Sequence, residues 1–213
     1  MPSPLPTRAL AAALAAALLP VLAHAQSSAG EPATSATGIP YADVDAAPKE
    51  LVDAIRARRA NGQLLNLDRM LLHSPSFAKA WNGMFGAIRG QLSMPPKLRE
   101  LAIMAIGTLN GSEYEWAQHE GEFLKAGGTK EQLAALRKVG RGRPDPKLFD
   151  EAEQATLALT EEMTRNVKVK EATLKRVRAF LPDAQLVELI GTISGYNMVS
   201  RFAVATGLQV EKR

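Results

Sequence analysis

Three features of the amino-acid sequence predict a single all-α domain. Ala and Leu abound among the 46% of residues that are hydrophobic, whereas Phe, Trp and Tyr together make up only 5%, a balance that favours helix over sheet. From about Pro48 onward, apolar residues recur at helical spacing almost without interruption. Pro, Gly and Asn fall between those runs, where helices start and stop. The charged fraction, 23% of 213 residues, is ordinary for a globular chain, and the net charge of +4 comes from basic residues scattered among acids. The densest basic cluster, "RKVGRGR" (137–143), has no interleaved aromatics and reads as a solvated connection. No nucleic-acid partner is expected.

The first 25 residues read as a secretory signal. Arg8 supplies a positive start and "ALAAALAAALLPVLA" (9–23) an apolar stretch too short to span a bilayer comfortably. "AHA" (23–25) gives small residues at a cleavage site before Gln26. The expected product is exported, periplasmic or secreted, with cleavage near Ala25-Gln26 and no stable membrane anchor afterwards. "QSSAGEPATSATG" (26–38) is rich in small and polar residues and reads as a flexible leader, taken here to run through residue 47. The helical domain is then 48–213. The chain has no cysteine, which excludes thiol catalysis and any dithiol redox cycle.

The elements follow in order. "PKELVDAIRARR" (48–59) opens with a proline at a first-turn position and sets Leu51, Ala54 and Ile55 on one face. "SFAKAWNGMFGAIRGQL" (76–92) repeats Phe77, Trp81, Phe85 and Ile88, while Gly83, Gly86 and Gly90 leave tertiary packing to hold it. "PPKLRELAIMAIGTLNG" (95–111) starts at a proline pair, stops at Asn110-Gly111, and is apolar on all sides from Leu101 to Leu109. Such a helix is buried. Ser112 as N-cap, with Glu115 three residues on, opens a helix to about Ala126 that "GGT" (127–129) ends. Further helices are predicted at 129–138, 146–165, 170–180 and 183–206.

Two of these helices carry the candidate chemistry. Glu100 shares the apolar row of Ile103, Met104 and Gly107, where a carboxylate is costly unless protonated or paired. It either serves a function there or reaches out to pair with Arg99 or a capping group. On the next helix, "GSEYEWAQHEGE" (111–122) crowds four carboxylates, a tyrosine, a tryptophan and a histidine into one stretch. At 100° per residue, Ser112, Glu115, Trp116, His119, Glu122 and Phe123 fall within an arc of about 120°. That mixture of polar and aromatic groups suits a pocket wall. Glu115 at i−4 or Glu122 at i+3 would orient the His119 ring. The plainer alternative is a satisfied histidine on a helix surface. A metal site is a competing chemistry, since Glu115, His119, Glu122, Glu100 and His73 are ligand types. There is no H-x3-H and only one Glu-x-x-x-His on one helix, so no metal is expected.

The combined spacing E-x11-S-x2-E-x3-H (Glu100, Ser112, Glu115, His119) resembles the fingerprint of the carboxymuconolactone decarboxylase and alkylhydroperoxidase-D-like superfamily. Its peroxidase branch has E-x11-C-x2-C-x3-H. The surrounding "LRELAIMAIGTLNGSEYEWAQHEGEFLKAGGT", together with "LLHSPSFAKAW" upstream and "DAQLVELIGTISGYNMVSRFAVATGL" at the end, resembles the cysteine-free decarboxylase-type branch over about residues 64–208. The resemblance implies a domain of about seven helices assembled as a ring, a trimer or hexamer. It implies that Glu100 and His119 are the acid and histidine of a proton-relay site. Ser112 and Glu115 stand where the peroxidase branch has its redox cysteines. It further implies lyase-type acid–base chemistry on a small carboxylated lactone or enol acid, with no cofactor. On that reading His119 is the proton donor, oriented by Glu115, and Glu100 is a second proton carrier. Trp116, Phe123 and Trp81 wall the substrate pocket, with Ser112, Glu122 and His73 beside it. A non-catalytic ligand-binding or assembly protein and a carboxylate/histidine metal enzyme are the alternatives.

Overall fold

The computed structural model describes residues 34–59, 61–142 and 145–211, together with Met1. The expected signal segment and cleavage site lie outside the described residues. Nine α-helices and no strand occur among those described: α1 (Lys49–Arg58), α2 (Asn66–Leu71), α3 (Pro75–Gly90), α4 (Pro96–Leu109), α5 (Glu113–Lys125), α6 (Lys130–Leu136), α7 (Glu151–Asn166), α8 (Glu171–Arg178) and α9 (Asp183–Thr206). The all-α expectation holds, with two more helices than the expected seven or so. α2 has six residues, too few to show a period in the sequence. It is held instead by Asp68, whose Oδ2 accepts the Leu65 N–H at 2.9 Å. The helix expected at 146–165 is divided. Pro146–Leu148 forms one 3₁₀ turn, and α7 restarts at a reciprocal cap in which Asp150 Oδ1 accepts the Glu153 N–H at 2.8 Å and Glu153 Oε2 accepts the Asp150 N–H at 3.1 Å.

α4 is the axis of the fold, surrounded by α5, α7 and α9. Its six consecutive residues Leu101–Ile106 are 0% exposed, as an all-apolar helix requires. Each large side chain buried in this way contributes about 1.5–3 kcal/mol before the entropy of ordering is counted. Gly111, at φ +68°, turns the chain from α4 into α5. Gly107 then permits close approach, because a Cβ there would already lie 3.5 Å from the Cβ of Glu115. This tight helix pair sets the first turns of α5 against the middle of α4 and carries the site.

The leader needs correction at its C-terminal end. Residues 34–47 belong with the helices. Tyr41 is buried and its hydroxyl accepts the Gln209 N–H at 3.2 Å. The Ala36 N–H donates to the Gly207 carbonyl at 2.8 Å. The chain passes so near Gly207 that a Cβ there would stand 2.8 Å from the Thr37 nitrogen. Composition alone made this stretch look solvated; one tyrosine and backbone pairing to the end of α9 tie it down.

Candidate active site

Glu100 is fixed by three donors on three helices. It is 1% exposed, and its Oε2 accepts a hydrogen bond from His119 Nδ1 at 2.8 Å. Its Oε1 bonds Arg89 Nη1, from α3, and receives Arg99 Nε at 3.1 Å. Burial pushes the Glu100 carboxyl up, but the His119 hydrogen bond and the two guanidinium groups outweigh it and bring its pKa down to about 2. Glu100 is therefore ionised. Burial dominates at His119 and lowers its pKa, although Glu100 pulls the other way. The ring is therefore neutral near pH 7. With Nδ1–H engaged by Glu100, Nε2 carries the lone pair. Tyr196, from α9, meets the ring edge-to-face with centroids 5.1 Å apart and planes at 88°.

Glu115 is buried one turn before His119, and its Oε2 has no hydrogen-bond partner among the described residues. Burial raises its pKa well above the usual carboxylate range, with the nearby Glu100 charge adding to the rise and Arg89 opposing it. Burial therefore favours its protonated form. Two carboxyl groups in one site are thus shifted in opposite directions, one down by cations and one up by burial. Such a divided pair is the arrangement acid–base sites use.

These groups open on a hollow of about 110 Å³ lined by Trp81, Phe85, Arg89, Glu115, His119 and Tyr196, with Arg58, Arg59, Leu65, Leu67, Gln118 and Val199 around them. Of the residues expected at the site, His119, Glu115 and Trp81 line this hollow, and Glu100 stands directly behind His119. Glu100, not Glu115, makes the hydrogen bond that orients the ring, and burial favours a proton on Glu115 more than on Glu100.

The remaining expected residues lie elsewhere. Ser112 is the N-cap of α5, its hydroxyl accepting the Glu115 N–H at 3.4 Å. Trp116 turns to another groove, with the Arg137 guanidinium 3.6 Å from its ring centroid. Phe123 is fully buried in the core, pressed against Gly128. Glu122 is half-buried and holds Arg89 Nη2 at 3.3 Å and Lys125 Nζ at 2.8 Å, so it supports Arg89 without lining the hollow. His73 is exposed, and its Nε2–H donates to the Pro40 carbonyl at 2.6 Å. A helical arc of about 120° is wider than one pocket wall, so Ser112, Trp116 and Phe123 face the cap, a second groove and the core. Among the described residues, no group of three His, Asp or Glu side chains is arranged to hold a metal ion.

Sequence reasoning missed Arg89, Arg58, Arg59 and Tyr196. For Arg89 a signal existed. It continues the row Trp81, Phe85 at i+4 spacing, and an arginine on an apolar row needs a buried carboxylate as much as Glu100 needs a cation. Arg58, Arg59 and Tyr196 come from helix ends or apolar surroundings with no local mark of a site.

An all-helical fold with a buried, hydrogen-bonded Glu–His pair between two adjoining helices, and no thiol in the chain, is what the comparisons have to match. The model of the carboxymuconolactone decarboxylase family matches residues 75–162, the window that holds Trp81, Arg89, Glu100, Glu115 and His119. Over that window the chain resembles the carboxymuconolactone decarboxylase family, and its fold is that of alkylhydroperoxidase-D-like proteins. Among solved structures it is similar to a peroxidase-related protein from Silicibacter sp. TM1040, with TM-score 0.69 and 19% identity over 87% of this chain and 95% of that one. It is also similar to an alkylhydroperoxidase AhpD core protein from Ralstonia eutropha JMP134, with TM-score 0.70 and 16% identity over 81% and 91%. The debrominase Bmp8, in complex with 2,3,4-tribromopyrrole, matches with TM-score 0.60 and 16% identity over 76% and 84%. At these identities the likeness is one of fold. No curated protein sequence matches.

Proposed function

We propose that the protein is an exported, cysteine-free member of the superfamily, assembled as a ring, that performs lyase-type acid–base chemistry on a small carboxylated lactone or enol acid. The carrying observation is two buried carboxyl groups set around one imidazole: Glu100 bonded to His119 Nδ1 and held down by cations, and Glu115 at the hollow, its Oε2 without a partner among the described residues and its pKa raised by burial. Loss of carbon dioxide breaks a carbon–carbon bond and sends its electron pair into a conjugated carbonyl as an enolate. The Glu115 carboxyl delivers its proton to the carbon that carried the carboxylate. Glu115 then regains a proton from solvent by way of His119 Nε2, which returns to its neutral form. Trp81, Phe85 and Tyr196 exclude water and keep these transfers in a medium where charge separation is felt.

The absence of cysteine rules the thiol peroxidase reaction out for this chain, whatever its relatives do. The test is turnover of small carboxylated lactones and enol acids, followed as carbon dioxide release and product mass, in wild type and His119→Gln. General acids and bases usually contribute about 10²-fold or more, so His119→Gln should lose at least that much. Retention of wild-type turnover within tenfold would end the assignment.

A further inference from the structure

Three guanidinium groups line the hollow: Arg58, Arg59 and Arg89. Two of them are already matched. Arg59 holds Asp68 through both Nε, at 2.8 Å, and Nη2. Arg89 is engaged by Glu100 and Glu122. Arg58 differs. Its closest carboxylate oxygen is Asp68 Oδ1, 3.8 Å from Nη2, and its one hydrogen bond among the described residues is Nε to Asn82 Oδ1 at 2.7 Å. That bond braces the guanidinium from behind and leaves the Nη1/Nη2 end without a hydrogen-bond partner there. The arginine stem lies along α3 beside Gly86, where a Cβ would stand 3.6 Å from Arg58 Cδ. Its side chain is only 18% exposed. A positioned, partly desolvated fork of N–H donors is matched in geometry to one carboxylate, and it gains more from that partner than a surface arginine would.

The rest of the lining limits what that partner can be. The rest of the lining includes His119, Glu115 and Tyr196, with Glu100 behind the imidazole. No unmatched cation waits there for a second carboxylate, and Glu100 would repel one. The volume, about 110 Å³, is of the same order as the roughly 150 Å³ cavity that admits benzene, which limits the partner to about that size. Resting on the acid–base reading above, we infer that Arg58 anchors the substrate carboxylate and that the site selects a small monocarboxylate. Its single anionic group sits at the α1–α3 side, and its conjugated carbon reaches toward Glu115 and His119. Arg58 lies before the residues that match the family model, so this anchor is a property of this chain and not of the shared motif.

The test uses two nearly isosteric probes, crotonate and its neutral amide crotonamide, titrated into the full mature chain by calorimetry or ligand-observed NMR. Hydrogen bonds to a charged partner are worth about one to two powers of ten in affinity. Wild type should therefore bind crotonate at least about tenfold more tightly than crotonamide. Arg58→Gln should bring that ratio near one while leaving crotonamide binding within about twofold, and Arg58→Lys should keep part of the preference. Should Arg58→Gln fail to fold, Asn82→Ala keeps the guanidinium but removes its brace, and should weaken crotonate selectively. A wild type with no preference for crotonate, or an Arg58→Gln or Asn82→Ala protein that keeps it in full, overturns the anchor. His119→Gln should retain the crotonate preference. Loss of turnover in His119→Gln alongside an unchanged ratio in Arg58→Gln refutes the anchor alone. The opposite pattern refutes the catalytic reading alone.

Discussion

Glu100 on α4 and His119 on α5 share a buried 2.8 Å hydrogen bond, closed behind by Arg89 and Arg99. The Glu100 pKa lies near 2 against an ordinary 4.5. Its contribution to stability is thus complete above pH 4.5 and lost as pH falls from 4.5 toward 2. Glu100→Gln should lower the melting temperature at pH 7 and flatten its fall across that acid window. A wild-type acid profile in the variant would show that Glu100 is not the ionised partner.

Glu115 titrates in the opposite sense. Its pKa is raised by burial, so the neutral form is favoured below pH 4.5, and stability is lost as pH rises from there toward the folded-state value. Glu115→Gln keeps the size and removes the ionisation. The variant should melt like wild type near pH 4, above wild type at pH 8, and turn over substrate at least about 10²-fold more slowly. Thermal melts across pH, paired with activity, check both parts.

Arg89 is the hub of the cation side, bonded to Glu100 and Glu122 and lining the hollow. Removing one partner of a buried pair leaves an uncompensated charge and typically costs about 3–5 kcal/mol. Arg89→Met should lose stability on that scale in urea unfolding and should raise the Glu100 pKa. Lys125→Met, whose partner Glu122 is half-exposed, should lose under about 1 kcal/mol.

The aromatic residues near His119 in sequence separate by function. Phe123→Ala empties a fully buried site and should cost about 3–5 kcal/mol while leaving crotonate affinity unchanged. Gly128→Ala should also destabilise, since its Cβ would fall 2.2 Å from the Phe123 ring. Trp81→Leu alters the wall of the hollow and should change probe affinity. Equal effects of Phe123→Ala and Trp81→Leu on binding would contradict the placement of the hollow.

The helices legible in the sequence were those with length and a stop signal. The run from Leu101 to Leu109 could only be a buried helix, and 183–206 ends where the left-handed Gly207 ends it. Short α2 has no period to read, and the Asp150–Glu153 cap divides a stretch whose pattern looks continuous. At the site, spacing identified Glu100 and His119 because a buried carboxylate and a histidine one helix later are conspicuous. Their roles depend on partners from α3 and α9, contacts between distant segments that no local pattern encodes. For the same reason Arg58 was silent. It looks like any charged residue in "AIRARR" (54–59) until the fold places it beside Asn82.

The most direct measurement is nitrogen NMR of the two imidazole nitrogens of His119 in the ¹⁵N-labelled protein at pH 7, assigned against His119→Gln. A neutral ring with the proton on Nδ1 and a lone pair on Nε2, still neutral below the ordinary imidazole pKa of 6.5, is the expected result. An imidazolium at pH 7, or a ring protonated only on Nε2, would contradict the proposed relay.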